Sequence, residues 1–204
     1  MKRVILPALR LEGFVRGRGR DLLRLHGPIV HRLYFQVSSF GDRQFCTTVC
    51  ANLVAAHDFP TLSPGFRLKR DTDGGDLWLP SSSPAEAERS TQVLLSSIMA
   101  EALPWLEGLT TPEGYARLRE TVEHRRDHHQ CFEAAIAWAL AGDEDKADRN
   151  LHAAINLYQV DGRVWCEAYI VRAEALRSAL SKGQAAALLA DWDLARRPAQ
   201  GIRT

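Results

Sequence analysis

The sequence has few of the features that mark secreted, membrane or disordered proteins. It has 4 cysteines in 204 residues, without a C-x-x-C pair, and only 8% aromatic residues against 46% apolar residues overall. No uncharged apolar run approaches the roughly 20 residues that cross a bilayer. The basic start is interrupted by Arg10 before the apolar segment of a signal peptide is complete. We therefore expect a globular, cytoplasmic protein with reduced thiols and no membrane partner.

The sequence also lacks the familiar catalytic signatures. It contains no G-x-S-x-G elbow, no G-x-x-x-x-G-K-[ST] phosphate loop, no H-E-x-x-H and no complete G-x-G-x-x-G. The fragment Gly17-Arg18-Gly19 lies between two short predicted strands, which favours a hairpin turn. We assign no catalytic residue and no cofactor, and expect a protein that is not an enzyme. The alternative is an enzyme, with or without metal assistance, that uses an unrecognised cleft between the two halves of the chain.

Charge is distributed unevenly along the chain. Residues 1–70 hold 12 Lys and Arg against 4 Asp and Glu, whereas residues 71–204 hold 14 against 21. The net charge of +1 therefore combines a basic first part with an acidic second part. Two interpretations follow: the two parts attract each other, or the first part faces an anionic partner.

Alternation of apolar and polar residues predicts strands in the first half of the chain. A short helix is predicted with its apolar face at residues 4–9. Gly13 ends the turn that follows, and extended structure begins after it. Residues 29–38 then alternate, with His31, Leu33, Phe35 and Val37 on one face and Arg32, Tyr34 and Gln36 on the other. Turn residues at 39–42 and a second alternating run at 43–53 predict an antiparallel hairpin. We expect a loop at 57–75 and a short strand at 76–79.

Helix signals replace strand signals from residue 83 onward. Ser83 is a good N-cap, Pro84 suits the first turn, and Glu86 completes a capping box. The apolar stripe that follows is suited to covering the sheet, and we expect Pro104 and Gly108 to end this helix. Another helix is predicted from residue 112, with no strand beyond it.

Two helix–Gly–helix patterns follow, around Gly142 and Gly183. They look like tetratricopeptide-type hairpins, but a free-standing solenoid needs at least about three repeats. We therefore expect the first domain to support them. The predicted fold is α+β: a small antiparallel sheet covered by helices, followed by an all-helical region of antiparallel hairpins. The predicted domains are residues 1–108 and 109–204.

Two stretches of the first half carry a family pattern. One is LEGFVRGR at residues 11–18, leading into LYFQVSS at 33–39, and the other is Trp78 followed by ALPWLEGLTTPE at 102–113. Together they span about half of the chain and resemble the bacterial family known as domain of unknown function 4304. The chain departs from the family at residues 47–52, where it has TTVCAN and members of the family often carry a more recognisable Asn-containing strand. The resemblance implies a small α+β domain and carries no activity or functional residue.

One spacing is typical of metal ligands. His124 and His128 stand four residues apart on a predicted helix, close to Glu120, Asp127 and His129. Two histidines supply only part of a tetrahedral shell, and the intervening arginines at 125 and 126 oppose a cation. We therefore favour an ion-paired helix face and assign no metal ligand.

The other histidines give weaker signals. His31 lies on the apolar face of its predicted strand, which favours a hydrogen-bonded core residue over a general base. Three further histidines have no suitable neighbours in the sequence: His26, His57 and His152.

The remaining functional candidate is a basic surface. If the helix after Ser83 covers the apolar face of the sheet, the opposite face projects outward with the predicted partner-binding residues Arg16, Arg18, Arg24, Arg32, Tyr34 and Gln36. Guanidinium groups suit bidentate contacts with carboxylate or phosphate, and tyrosine adds a stacking plane. An acidic protein partner of an adaptor or immunity module is the first interpretation. Cover by the acidic second half and binding of RNA or DNA are the alternatives, the latter disfavoured by the scarcity of aromatics. The oligomeric state is left open.

Overall fold

The chain divides into two compact units. The computed structural model describes residues 4–57, 64–70, 74–121 and 127–202. The first unit comprises Met1–Asn52 and Ser63–Gly108, and the second comprises Leu53–Leu62 and Leu109–Thr204. Segment 53–62, predicted within the first domain, thus belongs to the second unit. The first unit contains 13 basic and 10 acidic residues and the second 13 and 15, so the units are less unequal in charge than the two parts of the sequence.

A six-stranded antiparallel sheet forms the centre of the first unit. Its strands are β1 (Val15–Arg16), β2 (Asp21–His26), β3 (Ile29–Val37), β4 (Gln44–Leu53), β5 (Gly65–Arg67) and β6 (Leu79–Pro80). Strands β1 to β5 are adjacent in sequence order, and β6 also pairs with β4. Both predicted hairpins are confirmed, the first closing around residues 17–20 and the second around 38–43.

Strand β5 lies where the sequence predicted a loop. The loop was predicted from the proline and glycine content of this segment. Its residues form a strand because they pair with β4. Gly65 faces Cys50 in that pairing, and a Cβ on Gly65 would lie 2.3 Å from the Val49 carbonyl oxygen. Glycine is therefore needed here because the two backbones approach closely, not because the chain turns.

The helices of the first unit are α1 (Ile5–Leu11), α2 (Pro84–Ser97), a π-helical turn (Ile98–Ala102) and α3 (Leu103–Glu107). The Glu86 N–H donates to Ser83 Oγ at 3.2 Å, which confirms the predicted N-cap. Pro104 does not end the helix, contrary to expectation. A wide turn precedes Pro104, and in this turn the Leu103 N–H donates to the Ile98 carbonyl. The helix then continues to Gly108. The π-turn accommodates a proline that would disrupt regular α-helix.

The second unit is helical, with α4 (Pro112–Thr121), α5 (His128–Leu140), α6 (Glu144–Asp161), α7 (Cys166–Ser181) and α8 (Ala185–Arg196). The two predicted turns share one geometry. Gly142 and Gly183 have φ of 81° and 66°, and the next residue of each turn donates back five positions, Asp143 to Trp138 and Gln184 to Ala179. Both helices thus end in the same glycine-dependent cap. The described part of the chain has no strand beyond Pro112 and no helix that is long and apolar enough to span a membrane.

Candidate functional site

The turn between β1 and β2 presents arginines at one end of the sheet. The Gly17 N–H donates to the Asp21 carbonyl at 3.0 Å, which closes the hairpin. Gly19 has φ of 67°, a left-handed conformation that favours glycine. A Cβ on Gly17 would lie only 2.7 Å from Asp21 Oδ1. The two glycines therefore permit a tight turn that carries Arg18 and Arg20.

Three arginines of this segment are exposed and have no charge partner. The guanidinium groups of Arg16, Arg18 and Arg20 form no hydrogen bond or ion pair with another residue in the described ranges. Arg67 and Lys69, on the other side of the sheet, instead share the carboxylate of Asp76 at 2.9 and 2.7 Å. The turn therefore places three uncompensated positive charges close together.

The turn and the end of strand β3 line an open groove, named the basic groove here. It has a volume of about 570 Å³ and is lined by Arg18, Gly19, Arg20, Tyr34, Phe35, Gln36 and Val37. Tyr34 is 44% exposed, and its hydroxyl has no partner among the described residues. Gln36 is half-buried, and its Oε1 accepts a hydrogen bond from Cys46 Sγ at 3.6 Å. The Gln36 amide NH₂ group remains available as a donor.

A smaller apolar cavity adjoins the basic groove. Its volume is about 130 Å³, and its lining comprises Ile5, Leu6, Arg16, Gly19, Arg20, Asp21, Leu22 and Phe35. Gly19, Arg20 and Phe35 line both the groove and the cavity. An apolar recess thus lies directly beside a cationic groove.

Chemically, the groove and the cavity together offer complementary contacts. The guanidinium groups donate in a planar fork that matches a carboxylate, and Tyr34 offers an aromatic face and a hydroxyl. The cavity offers aliphatic and aromatic surface. The arrangement is suited to an anionic ligand that also carries an apolar group.

The structure corrects the predicted partner-binding set at Arg32. This residue is 5% exposed instead of projecting from the outer face of the sheet. Its guanidinium is ion-paired with Asp21, which is 4% exposed. In the strand register, Asp21 faces Tyr34 and Leu23 faces Arg32, so the two charged groups share one face. Arg32 lies on the face of β3 that the alternation predicted to be polar, yet it is buried there as part of an ion pair.

Arg24 is the second correction. It is 7% exposed and faces His31 in the register, so it lies on the face opposite Arg32. Its guanidinium donates to His31 Nδ1 at 3.1 Å and to Glu107 Oε1 at 2.7 Å. Because these contacts occupy it, Arg24 is not offered to a partner. His31 is fully buried and hydrogen-bonded, which confirms its predicted role as a core residue.

The other predicted residues are accessible near the basic groove. Arg16, Arg18 and Tyr34 are exposed, and Gln36 is half-buried. The sequence prediction missed Arg20, although the alternating run RGRGR at 16–20 was a usable signal. Glycine between arginines leaves room for their side chains to spread around a turn.

A buried polar network lies in the second unit, centred on Glu133, which is fully buried. Its Oε1 accepts from His57 Nε2 at 2.7 Å, and its Oε2 accepts from the Tyr115 hydroxyl at 2.7 Å. Arg119 Nε also lies 2.7 Å from Oε2. Burial raises the pKa of Tyr115 well above its ordinary value, so its hydroxyl stays protonated and donates. His57, which had no neighbour in the sequence, finds its partner 76 residues away.

The same network holds the segment that precedes His57. Arg172 donates to the carbonyl oxygens of Ala55 at 2.6 Å and Ala56 at 2.7 Å. The Gln200 side chain donates to the carbonyls of Val54 and His57 at 3.1 and 2.8 Å. These contacts explain why residues 53–57 belong to the helical unit. Side chains of that unit donate hydrogen bonds to the backbone carbonyls of this segment.

An aromatic and histidine cluster adjoins this network. A hydrogen bond of 2.9 Å joins His129 Nδ1 to the Tyr158 hydroxyl, and the His129 ring stacks on Trp165 with centroids 5.2 Å apart. Burial, reinforced by the nearby His57 and His128, lowers the pKa of His129 to about 4. His129 is therefore neutral at physiological pH.

The residues around the predicted His124 and His128 spacing that the structure describes make contacts within the protein. Asp127 is the N-cap of α5 and accepts from the Gln130 N–H at 2.7 Å. His128 lies 3.9 Å from Asp161, and His124 is outside the described residues. In the described ranges, no group of three or more His, Cys, Asp or Glu side chains is arranged to hold a metal ion.

All four cysteines are buried and free, as predicted for reduced thiols. Cys50 is close to the Arg32–Asp21 pair, yet burial raises the pKa of its thiol to about 11. This thiol is therefore protonated at neutral pH and unsuited to nucleophilic chemistry.

Comparison with known proteins adds no family. No protein-family model matches the chain, and searches of curated proteins and of solved structures also found no significant match. The resemblance to the domain of unknown function 4304 family stays a prediction.

Proposed function

We propose that this protein is a non-enzymatic binding module, of the adaptor or immunity type, whose basic groove holds an acidic segment of a partner protein. The observation that carries this proposal is the set of exposed, unpartnered Arg16, Arg18 and Arg20 beside Tyr34 and Gln36. Exposed arginines without carboxylates to neutralise them attract anionic groups at long range.

A protein partner is favoured over nucleic acid by the extent of the basic surface. Nucleic-acid binding usually depends on many phosphate contacts spread along a surface. The arginines here are confined to one turn, and the first unit as a whole has 13 basic against 10 acidic residues. A local cluster of this kind suits a short acidic segment, which would form the polar part of a wider protein interface.

Site-specific photo-crosslinking in the native cells tests the proposal. A photoreactive phenylalanine analogue replaces Tyr34, which lines the groove, and in a control protein it replaces Val93, which is 49% exposed on α2. We expect a discrete protein adduct from position 34 that is absent from position 93. The adduct should be lost when Arg18→Glu and Arg20→Glu are combined, and it should survive the control change Arg89→Glu on α2.

Two outcomes would overturn the proposal. One is an adduct at position 34 that contains RNA or DNA and disappears with nuclease, which would assign the groove to nucleic acid. The other is a protein adduct that persists in the Arg18→Glu and Arg20→Glu protein, because the arginines would then have no role in recognition.

A further inference from the structure

The apolar cavity beside the basic groove narrows the class of ligand. Resting on the proposed function, we propose that the bound segment is an extended acidic peptide with one apolar anchor residue. The anchor fills the cavity at Ile5, Leu6 and Leu22, while neighbouring acidic side chains pair with the arginines of the turn.

The size of the cavity fits one medium-sized apolar side chain. Its volume is about 130 Å³, and an engineered apolar cavity of about 150 Å³ in another protein holds one benzene molecule. A leucine, isoleucine or phenylalanine side chain would remove its surface from water there. A polar side chain would lose hydration with few partners, because the lining is largely aliphatic and aromatic.

The arginines set where the acidic residues must lie. Arg16 lines the cavity, Arg18 lines the groove, and Arg20 lines both. Two arginines therefore line the position of the anchor, beside the buried Asp21, whose carboxylate is already ion-paired with Arg32. In an extended chain, residues two positions apart lie about 7 Å from each other on the same side. Acidic side chains within two positions of the anchor would thus reach the guanidinium groups.

The backbone of strand β3 offers a further contact. The Phe35 N–H donates to the Arg20 carbonyl at 3.2 Å, and alternate N–H groups of a strand point to the same side. The Val37 N–H therefore points to the side of the groove, and it has no partner among the described residues. An extended peptide can accept this hydrogen bond with a backbone carbonyl, as in strand addition.

Synthetic peptide pools test the inference on the full-length protein. Each pool contains fluorescein-labelled heptapeptides with one fixed central residue, leucine, phenylalanine, alanine or serine. The flanking positions are randomised over Glu and Asp in one series and over Gln and Asn in the other. Fluorescence polarisation measures the apparent Kd of each pool.

We expect the acidic leucine or phenylalanine pools to bind most tightly. Replacing the central leucine by alanine should weaken binding at least about tenfold, because several buried methylene equivalents are lost. Replacing the acidic flanks by amides should also weaken binding, and rising salt should weaken only the acidic series.

A cavity-filling variant provides a second readout. Leu6→Trp replaces a side chain that lines the cavity with a larger one. The indole should fill the cavity and abolish the preference for leucine over alanine. Leu11→Trp is the matched control, because Leu11 is 89% exposed on the same helix and does not line the cavity. Circular dichroism checks that both variants fold. If Leu6→Trp does not fold, the peptide series measured on the wild-type protein still decides the question.

The outcomes separate this inference from the proposed function. Equal binding of acidic pools with leucine and with serine at the centre would overturn the apolar anchor and leave the acidic partner standing. Preference for the amide pools, or no binding of any pool below about 1 mM, would overturn the anchored acidic peptide. The crosslinking experiment would then decide the proposed function separately.

Discussion

Asp21 and Arg32 form an ion pair between strands β2 and β3, with both side chains buried. Desolvation makes such a pair costly to form, yet removing one partner leaves a buried charge without compensation. The pair joins the two strands next to the turn that carries Arg18 and Arg20, because Asp21 is the first residue of β2.

We predict that Asp21→Asn lowers the free energy of unfolding by about 3–5 kcal/mol, because the buried Arg32 charge loses its counter-ion. Urea unfolding followed by circular dichroism measures the change. Asp42→Asn serves as the control, since Asp42 is exposed, and should change stability by less than about 0.5 kcal/mol. Equal stabilities for the two variants would contradict the structural role of the pair.

A second prediction concerns the network around Glu133. Glu133→Gln should lower the free energy of unfolding by about 3–5 kcal/mol, because the buried Arg119 loses its carboxylate. The matched control is Glu113→Gln. Glu113 pairs with Arg117 on an exposed helix face, and its loss should cost about 0.5 kcal/mol or less. A loss of stability in Glu133→Gln as small as in this control would contradict the stabilising role of the network.

A third prediction is a pH dependence of stability from His129. Its pKa is about 4 in the folded protein against an ordinary value of 6.5, so the unfolded chain binds the proton first as pH falls. The stability linked to the neutral ring is complete above pH 6.5 and is lost progressively down to about pH 4. The ring is partly exposed, which limits the effect to about 1–2 kcal/mol.

The variant His129→Gln isolates this contribution. Other titratable groups near the ring, His57, His128, Asp127 and Glu133, remain in place. Unfolding free energies measured from pH 4 to pH 7 should therefore fall less steeply toward acid in the variant than in the wild type. Gln159→Asn, an exposed change on α6 that removes no titratable group, should retain the wild-type slope. An unchanged slope in His129→Gln would contradict the assignment.

Local signals in the sequence predicted much of the fold. Ser83 followed by Pro84 located the start of α2, and the glycines at 142 and 183 located the turns between helices. Alternation located strands β3 and β4. Each of these signals depends on residues within a few positions of each other, which is why the sequence alone carries them.

The errors arose where distant residues decide the outcome. Alternation placed Arg32 outward, but the exposure of an arginine depends on whether a carboxylate such as Asp21 meets it from the next strand. His57 looked unpartnered because Glu133 is far away in sequence. Strand β5 was missed because its pairing with β4, not its composition, makes it a strand. The candidate site was therefore predicted only at Arg16, Arg18, Tyr34 and Gln36.

NMR titration of the ¹⁵N-labelled full-length protein measures whether the basic groove receives an acidic segment. The ligand is the acidic heptapeptide pool with leucine at its centre. We expect saturable amide shift changes at residues 16–20 and 34–37, and their loss in the combined Arg18→Glu and Arg20→Glu variant. Shift changes confined to the helices of the second unit, or retained in that variant, would contradict binding of the acidic segment in the basic groove.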